Sequence, residues 1–282
     1  MDPSNEVAAD GDAGLFGPDS VTWRVHADPL MGVAGMRAQL LQALHPVVIE
    51  ALDQHSAFRD DPWGRVARTA EYIGVTTFGT ASQAMLAGSR VRAVHARIVG
   101  LTTTGVEYRA DDPQLLAWVH CCLVASFLEL VTRGGLRLTG ADQDRYIAEQ
   151  VRSAMLVGLE PDEVPHDRTG LLDYFRVIRP ALDGSTAARR AARVVVAPQP
   201  ALSGGARSAH AATTPLAGLA FATLPPWARR LYALTELPGP AGLPDGDATL
   251  ALRDLRDSYQ GTPCVPGVKP GVSGTGARPA PR

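Results

Sequence analysis

Lysine is almost absent from this chain of 282 residues. Lys269, close to the C-terminus, is the only one, and the other 26 basic residues are arginines. Such a preference is typical of a protein from a GC-rich genome. It also has a chemical consequence, because no lysine in the core is available as a general base, a Schiff-base nucleophile or a metal ligand.

Cysteine is also scarce, at three residues. Cys121 and Cys122 are adjacent in a helical pattern, so their side chains diverge by about 100° and cannot jointly hold a metal. Cys264 lies in a Pro/Gly-rich segment, and the chain has no CxxC pair. A disulfide framework and a structural zinc site are therefore not expected.

Targeting signals are missing as well. The N-terminus, MDPSNEVAADGDAG, is acidic and has neither a basic region nor an apolar core. No apolar run is expected to approach the roughly 20 residues that cross a bilayer. These features predict a cytoplasmic protein without stable membrane insertion.

Several common catalytic and binding motifs cannot be found. There is no glycine-rich phosphate loop after a strand, no HExxH and no GxSxG. The net charge is −2, which gives no global attraction to nucleic acid. A basic helical face at Arg189, Arg190 and Arg193 has no interleaved aromatic residues and is interpreted as solvated. We expect no nucleic-acid partner.

The residues that are present follow a 3.6-residue hydrophobic period, which predicts an all-α protein. One helical domain is expected over residues 17–259, between a disordered N-terminus (1–16) and a disordered Pro/Gly-rich tail (260–282). The pattern at 198–215 indicates a loop. The only plausible hairpin is GLTTTGVEYRADDP, after the fourth of the long helical patterns.

Helix boundaries are marked by clear local signals. Asp19 or Ser20 can cap a short helix that ends near residue 26, and Thr80 can cap a helix that includes residue 95. Pro46 breaks or kinks a long apolar pattern and frees the carbonyl of Gln42 from its helical hydrogen bond. The most apolar helix begins at Pro113 and stops at Gly134-Gly135, and should form the centre of the core.

One predicted helix, in DPWGRVARTAEYIGVTTFG, carries polar residues where a core-facing stripe is expected. The residues at i, i+3, i+4, i+7 and i+11 share a face and are Arg65, Arg68, Thr69, Tyr72 and Thr76. This face suits an anionic cofactor such as haem, with an arginine on a propionate or with an arginine and Thr69 near dioxygen. The alternative is that both arginines form surface ion pairs with Asp60, Asp61 or Glu71.

The following helix presents a single histidine, His95, within an apolar stripe between Val91 and Ile98. A buried structural histidine is one interpretation. An axial haem ligand is the other, since a neutral imidazole on a rigid, apolar-walled helix has the character of such a ligand.

The remaining histidines give weaker signals. His45 stands directly before the Pro46 break, and such irregular turns often mark pockets; a partly buried structural role is the alternative. His55 should lie at a helix end, where cations are favoured. His120 is interpreted as a satisfied core histidine. His26, His166 and His210 lie in polar or loop contexts and indicate no function.

Taken together and in order, several segments resemble the oxygenase family that contains the latex-clearing rubber oxygenases and the fungal MpaB oxygenase. The similarity is clear over about residues 17–180 and looser to about 258. The segments that carry it are GPDSVTWRVHADPLMGVAGMRAQLLQALHP, HSAFRDDPWGRVARTAEYIGVTTFGT, VRAVHARIVG, YRADDPQLLAWVH and FATLPPWARRLYAL.

The resemblance implies an all-helical, globin-like core around haem b. Rubber oxygenases place an Arg-x-x-Lys-Thr segment on the distal side and a proximal histidine about one helix later. The matching positions are Arg65, Arg68 and Thr69, with His95 as the proximal ligand. Tyr72, which shares the helical face of these residues, is expected beside the cofactor.

This chain departs from that pattern at Arg68, which replaces the distal lysine. Because a guanidinium stays protonated, it is a poor iron ligand. The distal side should then be open or water-ligated, or capped by another residue, with His45 the first candidate. Glu50 is only a loose counterpart of the family's proposed base. Without a secretion signal, polyisoprene is not the expected substrate.

We therefore expect an actinobacterial-type haem oxygenase that uses dioxygen on a small apolar, isoprenoid-like substrate. The helix around Leu116–Leu130 should wall the pocket. One alternative is a haem-binding carrier, sensor or electron-transfer protein without turnover, and another is a helical scaffold without a cofactor. The oligomeric state cannot be inferred.

Overall fold

The computed structural model describes residues 12–55, 62–196, 204–234, 237 and 239–259. In these ranges the chain is all-α, as predicted, with one small hairpin. The helices are α1 (Val21–His26), α2 (Met31–Gln42), α3 (Pro46–His55), α4 (Pro62–Phe78), α5 (Ala81–His95), α6 (Pro113–Arg133), α7 (Gly140–Leu156), α8 (Arg168–Ile178), α9 (Thr186–Val196), α10 (Gly204–Ala222), α11 (Pro226–Tyr232) and α12 (Asp245–Ser258).

The predicted terminal segments fall largely outside the described residues, which begin at Asp12 and end at Tyr259. The Asp12 carboxylate accepts hydrogen bonds from the backbone N–H of Ala81 at 3.1 and 3.2 Å. Asp12, which falls inside the segment predicted to be disordered (1–16), therefore contacts the start of α5. The assignment of disorder to 1–11 and 260–282 stays a prediction.

Short polar residues begin several helices where the sequence predicts them. Ser20 caps α1 by accepting a hydrogen bond from the N–H of Trp23. Thr80 forms a reciprocal capping box with Gln83 at α5. Asp112 caps α6, and Pro113 occupies its first turn. Each cap satisfies backbone donors that have no partner inside the helix, which fixes where the helix starts.

A two-stranded antiparallel hairpin separates α5 from α6. Its strands are β1 (Val99–Leu101) and β2 (Glu107–Arg109), with Gly100 opposite Tyr108. The Tyr108 hydroxyl donates to Gln54 on α3 at 2.8 Å. The inner face of the hairpin is therefore held by α3, and Val99 and Leu101 lie on the outer face.

α2 and α6 pack against each other at the centre of the molecule. α6 is 21 residues long and apolar enough to cross a membrane by length and composition alone. The expectation that no run approaches this length was wrong, because Glu129 interrupts the pattern only near the helix end. In the structure 67% of its most apolar window is buried inside the protein, as expected of a core helix.

One predicted loop is also wrong in part. The segment 198–215 was expected to connect helices, but α10 already begins at Gly204 and contains Pro215. The alanine-rich composition of 206–212 favours a helix, and the proline costs one backbone hydrogen bond without ending it. Residues 197–203 lie outside the described ranges.

Candidate functional site

α4 and α5 form the helix pair that carries most of the predicted site. They are joined by Gly79 and Thr80 and pack against each other. Arg65 on α4 and His95 on α5 are separated from this turn by almost the same number of residues. Because both helices rise by about 1.5 Å per residue, these positions lie at a similar level of the antiparallel pair.

His95 is the last residue of α5 and is half-buried. It shares a face with Val91, Gly88 and Ala84, which lie four, seven and eleven residues earlier. Ala84 and Gly88 are buried and Val91 is half-buried, whereas Leu86, Arg90 and Val94 are exposed. His95 thus lies on the inward face of its helix.

The position of α5 is fixed by a close contact with the end of α7. A Cβ atom built on Gly88 would lie 2.7 Å from the carbonyl oxygen of Leu156. The Arg92 guanidinium donates a hydrogen bond to the same oxygen. Glycine is therefore required at position 88, and the last two turns of α5 are held against α7.

The Tyr72 hydroxyl is the most informative polar group on α4. It is buried, and it has no hydrogen-bond partner among the described residues. Burial raises the pKa of Tyr72 to about 12, and the nearby charge of Arg92 on α5 opposes this effect. Because an unsatisfied buried hydroxyl costs about 1–3 kcal/mol, it indicates a missing partner.

The other residues of the α4 face do not all point to one place. Thr76 is buried, but its hydroxyl donates to the carbonyl oxygens of Tyr72 and Ile73 within the same helix. Arg68 is exposed and Thr69 is half-buried. The side chain of Arg65 lies outside the described part of the structure. The expected single polar wall is therefore reduced to Thr69 and Tyr72 among the described side chains.

His45 lies at the break between α2 and α3. Its Nδ1 atom is buried without a hydrogen-bond partner in the described part of the chain. Its ring centroid is 6.3 Å from that of Trp118 on α6. Burial lowers the pKa of His45, which the charge of Asp112 partly counteracts.

The start of α6 brings His45 and His95 into one region. Hydrogen bonding to Arg109 lowers the pKa of Asp111, and the neighbouring His95 adds a smaller contribution in the same direction. The negative charge of the next residue, Asp112, raises the pKa of His45 and so opposes the effect of burial. His45 and His95 are far apart in the chain, yet each lies near one of the two aspartates that precede α6.

Gln39 is a residue that the sequence analysis missed. It lies on α2, and its Nε2 atom is buried without a hydrogen-bond partner among the residues described. One turn earlier, a Cβ atom on half-buried Gly35 would meet nothing within 4 Å. The available signal was a glutamine in a mostly apolar helix, MGVAGMRAQLLQ, whose other polar side chains are Arg37 and Gln42.

His26 was wrongly set aside as a residue in a polar context. It is only 5% exposed, and its ring nitrogens lie 2.7 Å from the Thr77 hydroxyl and 3.1 Å from the Tyr146 hydroxyl. Burial lowers its pKa to about 3. This histidine is neutral and joins α1, α4 and α7. Burial also lowers the pKa of His120 to about 4, in agreement with the predicted core role.

Glu50 is already engaged by the hairpin. Its carboxylate accepts hydrogen bonds from the N–H of Thr103 at 2.5 Å and from the Thr103 hydroxyl at 3.1 Å. A carboxylate held in this way stabilises the turn between β1 and β2. Its assignment as a catalytic base receives no support from these contacts.

The described side chains of the candidate site suit a cofactor that supplies most of its own metal ligands. Among the described residues, no cluster of three or more His, Cys, Asp or Glu side chains could hold a metal ion. Haem iron needs only one axial histidine, since the porphyrin supplies the other ligands. Among the described residues, Gln39, His45 and Tyr72 each have a buried polar atom without a hydrogen-bond partner, which is compatible with an additional polar-edged group.

The family comparison identifies the class of protein. Residues 23–251 match the family described as the catalytic domain of the ER-bound oxygenase mpaB/B' and rubber oxygenase. The chain belongs to this family of oxygenase catalytic domains, and the resemblance inferred from the sequence is confirmed.

Two mycobacterial proteins are also similar to the chain. "Uncharacterized protein Mb2261" of Mycobacterium bovis and "Uncharacterized protein Rv2237" of Mycobacterium tuberculosis are each 28% identical over 115 residues. The match covers 41% of this chain and 45% of each relative, so the chain spans less than half of their length. No solved structure matches the chain.

Proposed function

We propose that this protein is a haem b-dependent oxygenase that acts on a small apolar substrate, with His95 as the proximal iron ligand. The observation that carries the proposal is the position of His95. It lies on the inward face of α5, which contacts between Gly88, Arg92 and Leu156 hold in place. Membership of an oxygenase family supports the class of reaction.

Haem, when bound, supplies the iron at which dioxygen is activated. His95 would hold that iron from one side through a ring nitrogen. Arg65, at a similar level on α4, has the charge and planar donor geometry that a propionate needs. Tyr72 offers a buried hydroxyl that lacks a partner among the described residues, and Thr69 adds a second hydroxyl one turn earlier on the helix.

The residues on the distal side cannot include a lysine ligand. Arg68, at the matching position, is exposed and carries a permanently protonated guanidinium. His45 is the proposed distal residue because its Nδ1 atom is buried without a partner in the described structure. Its lowered pKa keeps the imidazole neutral, so it can accept a proton or a hydrogen bond near neutral pH.

The proposed substrate is apolar because the helix that begins beside His45 and His95 is apolar. Leu116 and Trp118 are buried near the start of α6 and are the proposed wall of the pocket. A pocket of this composition favours hydrocarbon over charged groups and excludes water. An isoprenoid-like alkene fits these properties and the family relationship.

The proposal is tested by the visible absorption spectrum of the protein purified after expression with a haem supply. The wild type should show a Soret band that is lost or shifted in His95→Ala. His166→Ala is the matched control, since this exposed histidine bonds only to the carbonyl of Pro161, at 2.9 Å, among described residues. A wild type without a Soret band at any haem concentration would exclude haem binding.

A haem-binding carrier, sensor or electron-transfer protein is the second candidate, favoured by the engagement of Glu50 with Thr103. Such a protein retains haem and the effect of His95→Ala, but it consumes no oxygen with any alkene. Oxygen uptake with an isoprenoid-like alkene, measured beside the His95→Ala variant, separates the two candidates. Uptake that depends on His95 supports the oxygenase.

A further inference from the structure

Exposed apolar side chains are concentrated on α5 and the hairpin. Six of them, each at least 48% exposed, fall within a short stretch of the chain: Met85, Leu86, Val94, Val99, Leu101 and Val106. We call these residues, together with Arg90 and Arg97, the α5–hairpin surface. Large exposed apolar residues grouped in this way mark a surface that contacts something other than water.

Arginines alternate with the apolar side chains on α5. Leu86, Arg90, Val94 and Arg97 follow at i, i+4, i+8 and i+11, so they form one exposed stripe that continues past the helix end. Neither Arg90 nor Arg97 forms an ion pair among the described residues. The stripe thus combines hydrocarbon with two arginines that form no ion pair among the described residues, although the chain as a whole has a net charge of −2. Glu107, opposite Leu101, places one exposed carboxylate on the outer face of the hairpin, so the two arginines leave the surface with an excess of positive charge.

The hairpin extends this stripe without a gap. The N–H of Ile98 donates to the carbonyl of His95, so β1 starts within one turn of the end of α5. Val99 and Leu101 share the outer face of β1, and Val106 lies beside the turn. The inner face cannot rotate outward, because Tyr108 and Gln54 hold it against α3.

We propose that the α5–hairpin surface docks on an anionic lipid bilayer. The apolar side chains would enter the boundary between headgroups and acyl chains, and Arg90 and Arg97 would bind lipid phosphates. Charge complementarity favours this partner over a second copy of the chain. A two-fold interface through the same surface would place its arginines near each other.

The proposal does not depend on haem, since it uses only residues on the outer faces of α5 and the hairpin. Docking here would bring the inward face of α5 close to the membrane, from which an apolar substrate could enter. The contact is peripheral, and no helix needs to cross the bilayer.

Co-sedimentation with vesicles tests the proposal directly. Wild type should bind vesicles of phosphatidylcholine that contain roughly 30% phosphatidylglycerol, an anionic lipid. It should bind vesicles of pure phosphatidylcholine much less. Raising the salt concentration should weaken binding. Arg90→Glu/Arg97→Glu should lower the partition coefficient by at least about tenfold, and Leu101→Asp/Val106→Asp by a similar factor.

A matched control is available on α12. Leu250 is 57% exposed, and Arg253 is an exposed arginine three residues later. Leu250→Asp/Arg253→Glu makes the same chemical changes elsewhere and should bind like wild type. Circular dichroism of each variant reports folding, and the single substitution Leu101→Ser replaces any double variant that does not fold.

Three results would overturn the proposal. The first is wild-type binding that does not depend on anionic lipid. The second is an equal loss of binding in the α12 control. The third is a wild-type dimer, detected by sedimentation velocity, that the surface variants dissociate, since this would assign the surface to a second copy of the chain.

Discussion

The indole Nε1 of Trp118 donates a hydrogen bond to the carbonyl oxygen of Gln42 across 3.1 Å. Pro46 has no N–H, so this carbonyl lacks the donor that a continuous helix would provide. Trp118 is fully buried on α6, and its ring also lies beside His45. The break that positions His45 is thereby stabilised by a residue from another helix.

Trp118→Phe should lower the free energy of unfolding by about 1–3 kcal/mol, because it removes this donor and leaves space in the core. Urea unfolding measures the change. The loss should be smaller in a Pro46→Ala background, where the N–H at position 46 can reach the Gln42 carbonyl. Additive effects of the two substitutions within about 0.5 kcal/mol would contradict the explanation.

Gly88→Ala should destabilise the protein by about 1–3 kcal/mol, since its Cβ would meet the Leu156 carbonyl at 2.7 Å and displace α5. The same variant should retain less haem per protein after desalting. Gly246→Ala on α12 is the control, because a Cβ there meets nothing within 4 Å. The control should be neutral or up to about 1 kcal/mol more stable. Equal stability of the Gly88→Ala variant and wild type would exclude the contact as a constraint.

Tyr72→Phe should leave the haem-free protein equally stable or more stable by up to about 1 kcal/mol, because it removes a buried hydroxyl that has no partner in the described part of the chain. In the haem-bound protein the same change should lower the melting temperature relative to wild type. Tyr232→Phe provides the contrast, since the Tyr232 hydroxyl donates to the carbonyl of Leu40. That variant should be destabilised with and without haem. A destabilised haem-free Tyr72→Phe protein would show that the hydroxyl is already satisfied.

Stability should fall as the pH drops below about 6.5. Burial lowers the pKa of His26 to about 3 and that of His120 to about 4, whereas both take up protons near 6.5 when unfolded. Between these values the unfolded state binds more protons, so the free energy of unfolding rises with pH. Each histidine contributes about 1.4 kcal/mol per pH unit in that window.

Urea unfolding at pH 6.5, 5.8 and 5.0 measures this slope above the range in which the aspartates with lowered pKa values titrate. His120→Gln should reduce the slope by the contribution of about one proton. A slope near zero in wild type would mean that both histidines are accessible to solvent.

Local sequence signals fixed much of the helical framework correctly. Ser20 and Thr80 cap helices as predicted, and α6 begins at the predicted Pro113, because a cap and the backbone donors it satisfies lie within three residues of each other. The start of α10 was placed too late, since Pro215 is tolerated inside a helix that packs against α2 and α9. Local signals of this kind carry no information about such packing.

The candidate site could be predicted only in part. The 3.6-residue period placed His95 on an apolar face, and the structure confirms that this face is turned inward. The same period placed Arg68 beside Tyr72, but Arg68 is exposed and Tyr72 has a buried hydroxyl. A polar stripe spans a wide angle of the helix surface, and neighbouring helices decide which part of it is covered.

The sequence by itself determined the helical class, the family, the break at Pro46 and the candidate role of His95, because each depends on residue type and spacing along the chain. Only the tertiary structure decided that His95 lies near Asp111 and His45 near Asp112, and that His26 is buried against Thr77 and Tyr146. It also decided that α5 is fixed by Leu156 of α7. The physical reason is that burial and charge act across space, between residues that are far apart in the chain.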